Sequence, residues 1–298
     1  MEVHEGTNTE AGAQTGAQAV PVPAAASGAP ARPSGAPPVA LVAGASSGIG
    51  AAVARRLAAR GSAVALVGRR KAELEEVAES IRASGGTALP VALDLAEPGA
   101  PAEAVAVTTA ALGPVGLLVC SAGAIRLAPV HETEERHWER QVRVNLTVPF
   151  LLARQVLPGM RERGCGWIVT IGSGVGCEVV PGSGGYGVSK HAVQRLTELV
   201  HEENRDHGVR AVTVAPGWVA TRLAARPADL GVPEEEVLTP EDIADTVAWL
   251  LDRPARMSVG PLVRVEPSAG RAAAGGAMTR HLTRSRAEGA GQAAKETR

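Results

Sequence analysis

Tyr186 and Lys190 stand four residues apart in Gly-Tyr-Gly-Val-Ser-Lys, and Ser173 lies thirteen positions upstream. On a helix, residues i and i+4 share a face, so a phenol and an ammonium at this spacing project together. A nearby cation favours phenolate over phenol and is expected to lower the tyrosine pKa from about 10 towards neutrality. A serine hydroxyl beside them could hold a carbonyl or alcohol oxygen during proton transfer. The ordinary structural reading is a ring that packs a helix and a lysine in solvent. On its own the pair decides little, although Tyr186 is the chain's single tyrosine.

A second constellation is Ala43-Gly44-Ala45-Ser46-Ser47-Gly48-Ile49-Gly50. An apolar run precedes it and an amphipathic run follows it. Glycines here permit a tight turn and close approach of backbone to a pyrophosphate. The N–H groups of Ser46, Ser47, Gly48, Ile49 and Gly50 then open a helix towards it. About 20 residues on, the next apolar run ends in Val67-Gly68-Arg69-Arg70. A dinucleotide without a 2′-phosphate usually meets an acidic residue at this point. Arg69 and Arg70 would instead attract a phosphate, so the charge pattern predicts NADP(H) in preference to NAD(H).

The elements that must position these groups alternate along the chain. Val39–Ala43, Ala63–Val67, Ala88–Leu93, Leu117–Cys120, Trp167–Ile171, Arg210–Val214 and Leu262–Glu266 read as strands. Most are continuous apolar runs, as strands covered on both faces are. Helical patterns lie between them at Ile49–Ala59, Lys71–Ala83, Ala102–Leu112, Glu134–Arg161, Gly185–Asp206 and Glu241–Leu251. This alternation predicts an α/β fold: a single doubly wound Rossmann-type domain, with a seven-stranded parallel sheet and helices on both faces. Ligands bind such sheets at the carboxyl ends of the strands.

Composition bounds the rest. Residues 1–37, rich in Ala, Gly and Pro, cannot bury enough apolar surface to offset ordering entropy, and neither can the basic segment 269–298. Both are expected to be disordered tails around a domain at 38–268. A net charge of −1 gives no electrostatic case for nucleic acid or an anionic membrane as partner. Three cysteines without metal-ligand spacing, no long apolar span and no basic-then-apolar leader predict reduced thiols, no metal site and a cytoplasmic protein.

Taken together, these motifs resemble those of the short-chain dehydrogenase/reductase family, in particular an NADP-preferring branch, across residues 38–268. Gly44-x-x-x-Gly48-Ile49-Gly50 matches its cofactor turn, and Asp94-Leu95 its adenine-contacting pair. Asn145, Ser173, Tyr186 and Lys190 match its catalytic tetrad. Pro216, Gly217, Val219 and Thr221 match the segment that meets the nicotinamide amide. Where the family usually carries Asn-Asn-Ala-Gly, this chain has Cys120-Ser121-Ala122-Gly123, and Gly116 stands where aspartate is common.

The resemblance implies hydride transfer between a nicotinamide and a ketone, aldehyde or secondary alcohol. Tyr186 would be general acid/base, and Ser173 would hold the substrate oxygen. Lys190 would hold the ribose, and Asn145 a water linking Lys190 to solvent. The substrate would be a small carbonyl or alcohol, with residues such as Cys177, Val179 and Trp218 around it and a lid over Thr221–Leu238. A homodimer or homotetramer built on the Glu134–Arg161 and Gly185–Asp206 helices is also implied. Glu178, His191, His201 and His207 read as solvated faces or pocket rim. The competing reading is a non-catalytic NADPH-binding regulator or scaffold, with Ser121 and the long tails in its support.

Overall fold

The computed structural model describes residues 37–221, 237–254 and 256–268. The two tails and the segment 222–236, expected to form the lid, lie outside the described residues. Seven parallel strands form one sheet: β1 (Val39–Ala43), β2 (Ala63–Gly68), β3 (Thr87–Ala92), β4 (Val115–Cys120), β5 (Gly166–Ile171), β6 (Val209–Pro216) and β7 (Leu262–Val265). Their order is β3-β2-β1-β4-β5-β6-β7, so the chain reverses its direction of travel across the sheet between β1 and β4. β1, with every residue buried, and its neighbours are apolar throughout because helices cover both sides.

Helices α1 (Gly48–Ala59), α2 (Lys71–Ala83) and α8 (Pro240–Leu251) lie on one face. Their Val53, Leu57, Leu74, Val77, Ile243 and Leu250 pack on Val42, Leu66 and Val214. Helices α3 (Ala100–Leu112), α5 (Val148–Glu162) and α7 (Gly184–Asn204) cover the other, where Leu152, Val156 and Val200 meet Leu41, Leu118 and Ile168. α8 starts as its sequence dictates. The Thr239 hydroxyl accepts from Asp242 N, and the Asp242 carboxylate accepts from Thr239 N at 2.7 Å. No helix among the described residues is long and apolar enough to cross a membrane.

Two expectations change. The helix read as Glu134–Arg161 is α4 (Glu135–Val142), a π-helical turn (Arg143–Thr147) and then α5. Pro149 has no N–H to give to the carbonyl of Asn145, and Val148 N reaches back five residues to Arg143 O instead. The wider turn therefore falls at Asn145. His201 does not sit on a solvated face: it is buried, and its Nδ1 accepts from Ala211 N on β6 at 3.2 Å.

Candidate active site

The carboxyl ends of the central strands open into a cleft of about 830 Å³. At one end the turn after β1 enters α1. Gly44 takes φ +83, and a Cβ there would lie 2.5 Å from Ala122 N, so the glycine turn closes directly on the Ser121–Ala122 backbone. Ser121 N donates to Ala43 O at 2.9 Å, which ties the β4 end to the same turn. A Cβ on Gly50 would come within 2.2 Å of Gly44 O. Ala at position 44 is expected to destabilise the fold by about 2 kcal/mol or more, through the left-handed φ and the contact with Ala122. Thermal melts of Gly44→Ala beside the wild type check this.

Ser47 begins α1 without a side-chain cap, which leaves the first-turn N–H groups facing the cleft. Its hydroxyl, like that of Ser46, is engaged from outside: Arg70 Nη2 donates to Ser46 Oγ at 2.8 Å and to Ser47 Oγ at 2.7 Å. Arg70 also meets Glu73 at 3.4 Å. Arg69 reaches Asp94 at the end of β3. Open helix N–H groups, a turn opened by Gly44 and Gly48 and guanidiniums at the β2 end together fit a dinucleotide phosphate.

At the other end stand the groups from β5 and α7. Lys190 and Tyr186 are 5% and 8% exposed. Lys190 Nζ donates to Ile171 O at 2.7 Å and lies 5.8 Å from the Tyr186 ring centroid. The Ser173 side chain neighbours the phenol and favours its ionised form. The expected lowering of the phenol by Lys190 is absent. Burial raises the Tyr186 pKa, and Ser173 offsets only part of that. Lys190 is itself pulled down to about 8 by burial, with the neighbouring Cys120 acting weakly against it. The Cys120 thiol is pushed up to about 12 by the same burial, so it stays neutral. Lys190 thus gives its bond to a backbone carbonyl at the end of β5.

Asn145 sits in the π turn and is 1% exposed. Its Oδ1 accepts from Ala124 N at 2.8 Å, and its Nδ2 donates to Ala124 O at 2.9 Å and to Ser189 Oγ at 3.0 Å. It thereby joins the loop after β4 to α7, one residue from Lys190. Gln141, a turn earlier, accepts from Arg126 N at 2.8 Å and fixes the same loop.

A short chain dehydrogenase family model matches residues 38–229. The chain belongs to the short-chain dehydrogenase/reductase family. It is an oxidoreductase of that family by descent and fold. The glycine betaine reductase ATRR of Emericella nidulans is 36% identical over 236 residues, which cover 77% of this chain; the chain spans only 18% of that relative's length. Cis-4-hydroxycyclohexanecarboxylate dehydrogenase of Sinomonas cyclohexanicum is 34% identical, with 76% of this chain and 94% of the relative covered. An alcohol dehydrogenase from the archaeon Thermococcus sibiricus, solved with 5-hydroxy-NADP, superposes with a TM-score of 0.72 at 30% identity, over 78% of this chain and 98% of that one.

In this member of the family the cleft gathers Gly44, Ser46, Ser47, Gly48 and Ile49 with Arg69, Arg70, Asp94, Leu95, Ser121, Ala122 and Gly123. Ser173, Tyr186, Lys190, Pro216, Gly217, Val219 and Thr221 line its other part. Gly50 and Asn145 stand behind this lining and shape it. Of the expected substrate neighbours, Trp218 faces the cleft, while Val179 is 98% exposed and Cys177 turns its Sγ back to Ser173 O. Sequence reasoning missed Arg140 and the Ala124–Leu127 loop, which also line the cleft. Nothing local marks either one, because α4 and this loop reach the site only through packing. Gly116 has a plain cause: a Cβ there would meet Pro38 Cβ at 2.8 Å.

Proposed function

We propose that this chain is an NADP(H)-dependent oxidoreductase acting on a ketone or aldehyde, or in reverse on a secondary alcohol. Tyr186 is its general acid/base. The observation that carries the reading is a buried phenol with Ser173 beside it and Lys190 5.8 Å from its ring centroid, in the same cleft as an uncapped helix N-terminus and two arginines. When bound, the nicotinamide cofactor supplies the hydride. Tyr186 gives its proton to the substrate oxygen, and Ser173 donates a hydrogen bond there as negative charge develops. Lys190 binds ribose hydroxyls, and Asn145 keeps the loop after β4 and α7 in register. Gly44, Gly48, Ile49 and the first turn of α1 hold the pyrophosphate. Asp94 and Leu95 border the adenine, with Ala122 and Gly123 beside the ribose. Pro216, Gly217, Val219 and Thr221 border the nicotinamide amide.

The test is NADPH oxidation by the purified chain against ketones and aldehydes of graded size, with cofactor titration alongside. Turnover supports the reading. Failure to bind either nicotinamide cofactor refutes it. Cofactor preference follows from charge: Arg70→Ala removes a guanidinium whose hydrogen bond to an ionised phosphate is worth about 1.5–3 kcal/mol. It is expected to raise the NADPH Kd about 10–100-fold, at RT ln 10 per decade, and to change the NADH Kd much less. Fluorescence titration with both cofactors measures this.

The same reading includes a homodimer or homotetramer. Trp138, Phe150, Val188 and Leu199 on α4, α5 and α7 are large apolar side chains left 40–54% exposed. Val188 and Leu199 lie eleven residues apart, about three helical turns, and therefore share a face. Sedimentation of the full chain would check the assembly.

A further inference from the structure

Arg140 belongs to α4, far in sequence from the glycine turn and from the β2 arginines, yet it faces the adenosine end of the cleft. Its Nη2 lies 3.2 Å from Asp94 Oδ2. Arg69 Nη1 reaches the same oxygen at 3.8 Å. The other carboxylate oxygen, Oδ1, accepts from Ala96 N at 3.0 Å. Asp94 thus has one oxygen closed by its own turn and one shared between two guanidiniums.

The two cations are not equivalent. The Arg69 side chain is 64% exposed and holds Asp94 at the longer distance. The Arg140 side chain is 37% exposed, and the π turn that directly follows its helix is docked on the same turn by a second guanidinium, Arg143 Nε donating to Ala96 O at 2.9 Å. Gln141, next to Arg140, is buried and fixed to Arg126 N. Arg140 is therefore the held partner of Asp94, and Arg69 the one that can leave. Burial by itself would raise the Asp94 pKa; the Ala96 N–H, Arg140 and Arg69 together hold it below the usual carboxylate range, so the carboxylate is charged at neutral pH.

That negative charge stands beside Arg69, one of the two cations that would meet a 2′-phosphate. A bare carboxylate there would repel the phosphate and would also compete with it for Arg69. We propose that Arg140 is a specificity-determining positioning residue: by neutralising Asp94 from α4 it frees Arg69 to turn onto the 2′-phosphate of NADP(H). This rests on the NADP(H) reading above and adds to it a residue outside the cofactor motifs.

The experiment is equilibrium titration of the full-length protein with NADPH and with NADH, followed by cofactor fluorescence. The variants are Arg140→Leu, Arg140→Lys, and Asp94→Asn combined with Arg140→Leu. Arg140→Leu is expected to weaken NADPH on the order of tenfold and NADH by less than about threefold, the scale of one unscreened charge near a phosphate. Arg140→Lys should keep most of the NADPH affinity. The double variant should recover the wild-type NADPH-to-NADH ratio, because no carboxylate is left to neutralise. If Arg140→Leu weakens both cofactors alike, or the double variant fails to recover the ratio, Arg140 serves only the fold of the turn and the proposal is overturned. NADPH preference in the wild type with an unmoved ratio in Arg140→Leu overturns this inference alone. A wild type without any NADPH preference overturns the cofactor reading, and this inference with it.

Discussion

Replacing Tyr186 by phenylalanine is expected to lower kcat by about 10²–10⁴-fold, the range of general acid–base help, while the NADPH Kd stays within about threefold of wild type. The substitution removes one oxygen and keeps the ring. Tyr186 is buried on α7 between Gly185 and Gly187, so packing is retained and the loss falls on the proton donor. The pH profile adds a second signature. Burial raises the Tyr186 pKa, so the phenol is protonated at neutral pH and ready to act as an acid. Carbonyl reduction should hold steady near neutrality and fall as pH rises through that pKa, whereas alcohol oxidation, which needs the phenolate, should rise. Steady-state kinetics in both directions, with single-turnover measurements on Tyr186→Phe, would check both statements. Undiminished kcat in the variant would remove Tyr186 from the chemistry.

Lys190→Met should separate activity from stability. Burial has lowered the Lys190 pKa from 10.5 to about 8, which corresponds to a folding cost of about 3 kcal/mol below pH 8. The sign follows from proton counting. Below about pH 8 both states carry the proton, and the folded state bears the full cost of a buried ammonium. Between about pH 8 and 10.5 the unfolded chain keeps the proton and the folded chain loses it, so stability rises with pH across that window. Methionine matches the stem and removes the charge. It also forfeits the ammonium's bond to Ile171 O, worth about 1.5–3 kcal/mol. The net gain of at most about 2 kcal/mol should leave Tm unchanged or raise it by up to about 8 °C at neutral pH and flatten the pH dependence above 8. Turnover should fall at least about a hundredfold, since the ribose-binding ammonium is gone. A lower Tm in the variant would mean that the ammonium is better solvated in its pocket than its burial implies.

Much of this molecule could be read along one dimension. β1 matched residue for residue, the other strands came within two residues at each end, and the Thr239–Asp242 capping box lies where Thr-Pro-Glu-Asp places it. Strand runs, turns and caps are encoded in windows of a few residues, where apolar periodicity, missing side chains and missing N–H groups act locally. For the same reason the glycine turn, the β2 arginines and the Tyr186–Lys190 spacing were legible, and the resemblance they built holds across the fold.

Contacts between distant elements were not legible. Pro149 was in plain view, yet the π turn it favours acquires meaning only when Asn145 meets Ala124 and Ser189, 21 and 44 residues away. The direction of the Tyr186 shift was misread because spacing reports who is near and says nothing of how deeply each group is buried. Arg140 escaped notice because its partner Asp94 is 46 residues away on another element. Local sequence determined which elements form and which chemistry they carry. Tertiary structure alone decided how those charges are paired and how much water they lose, since desolvation and pairing depend on everything packed around a group and not on its neighbours in the chain.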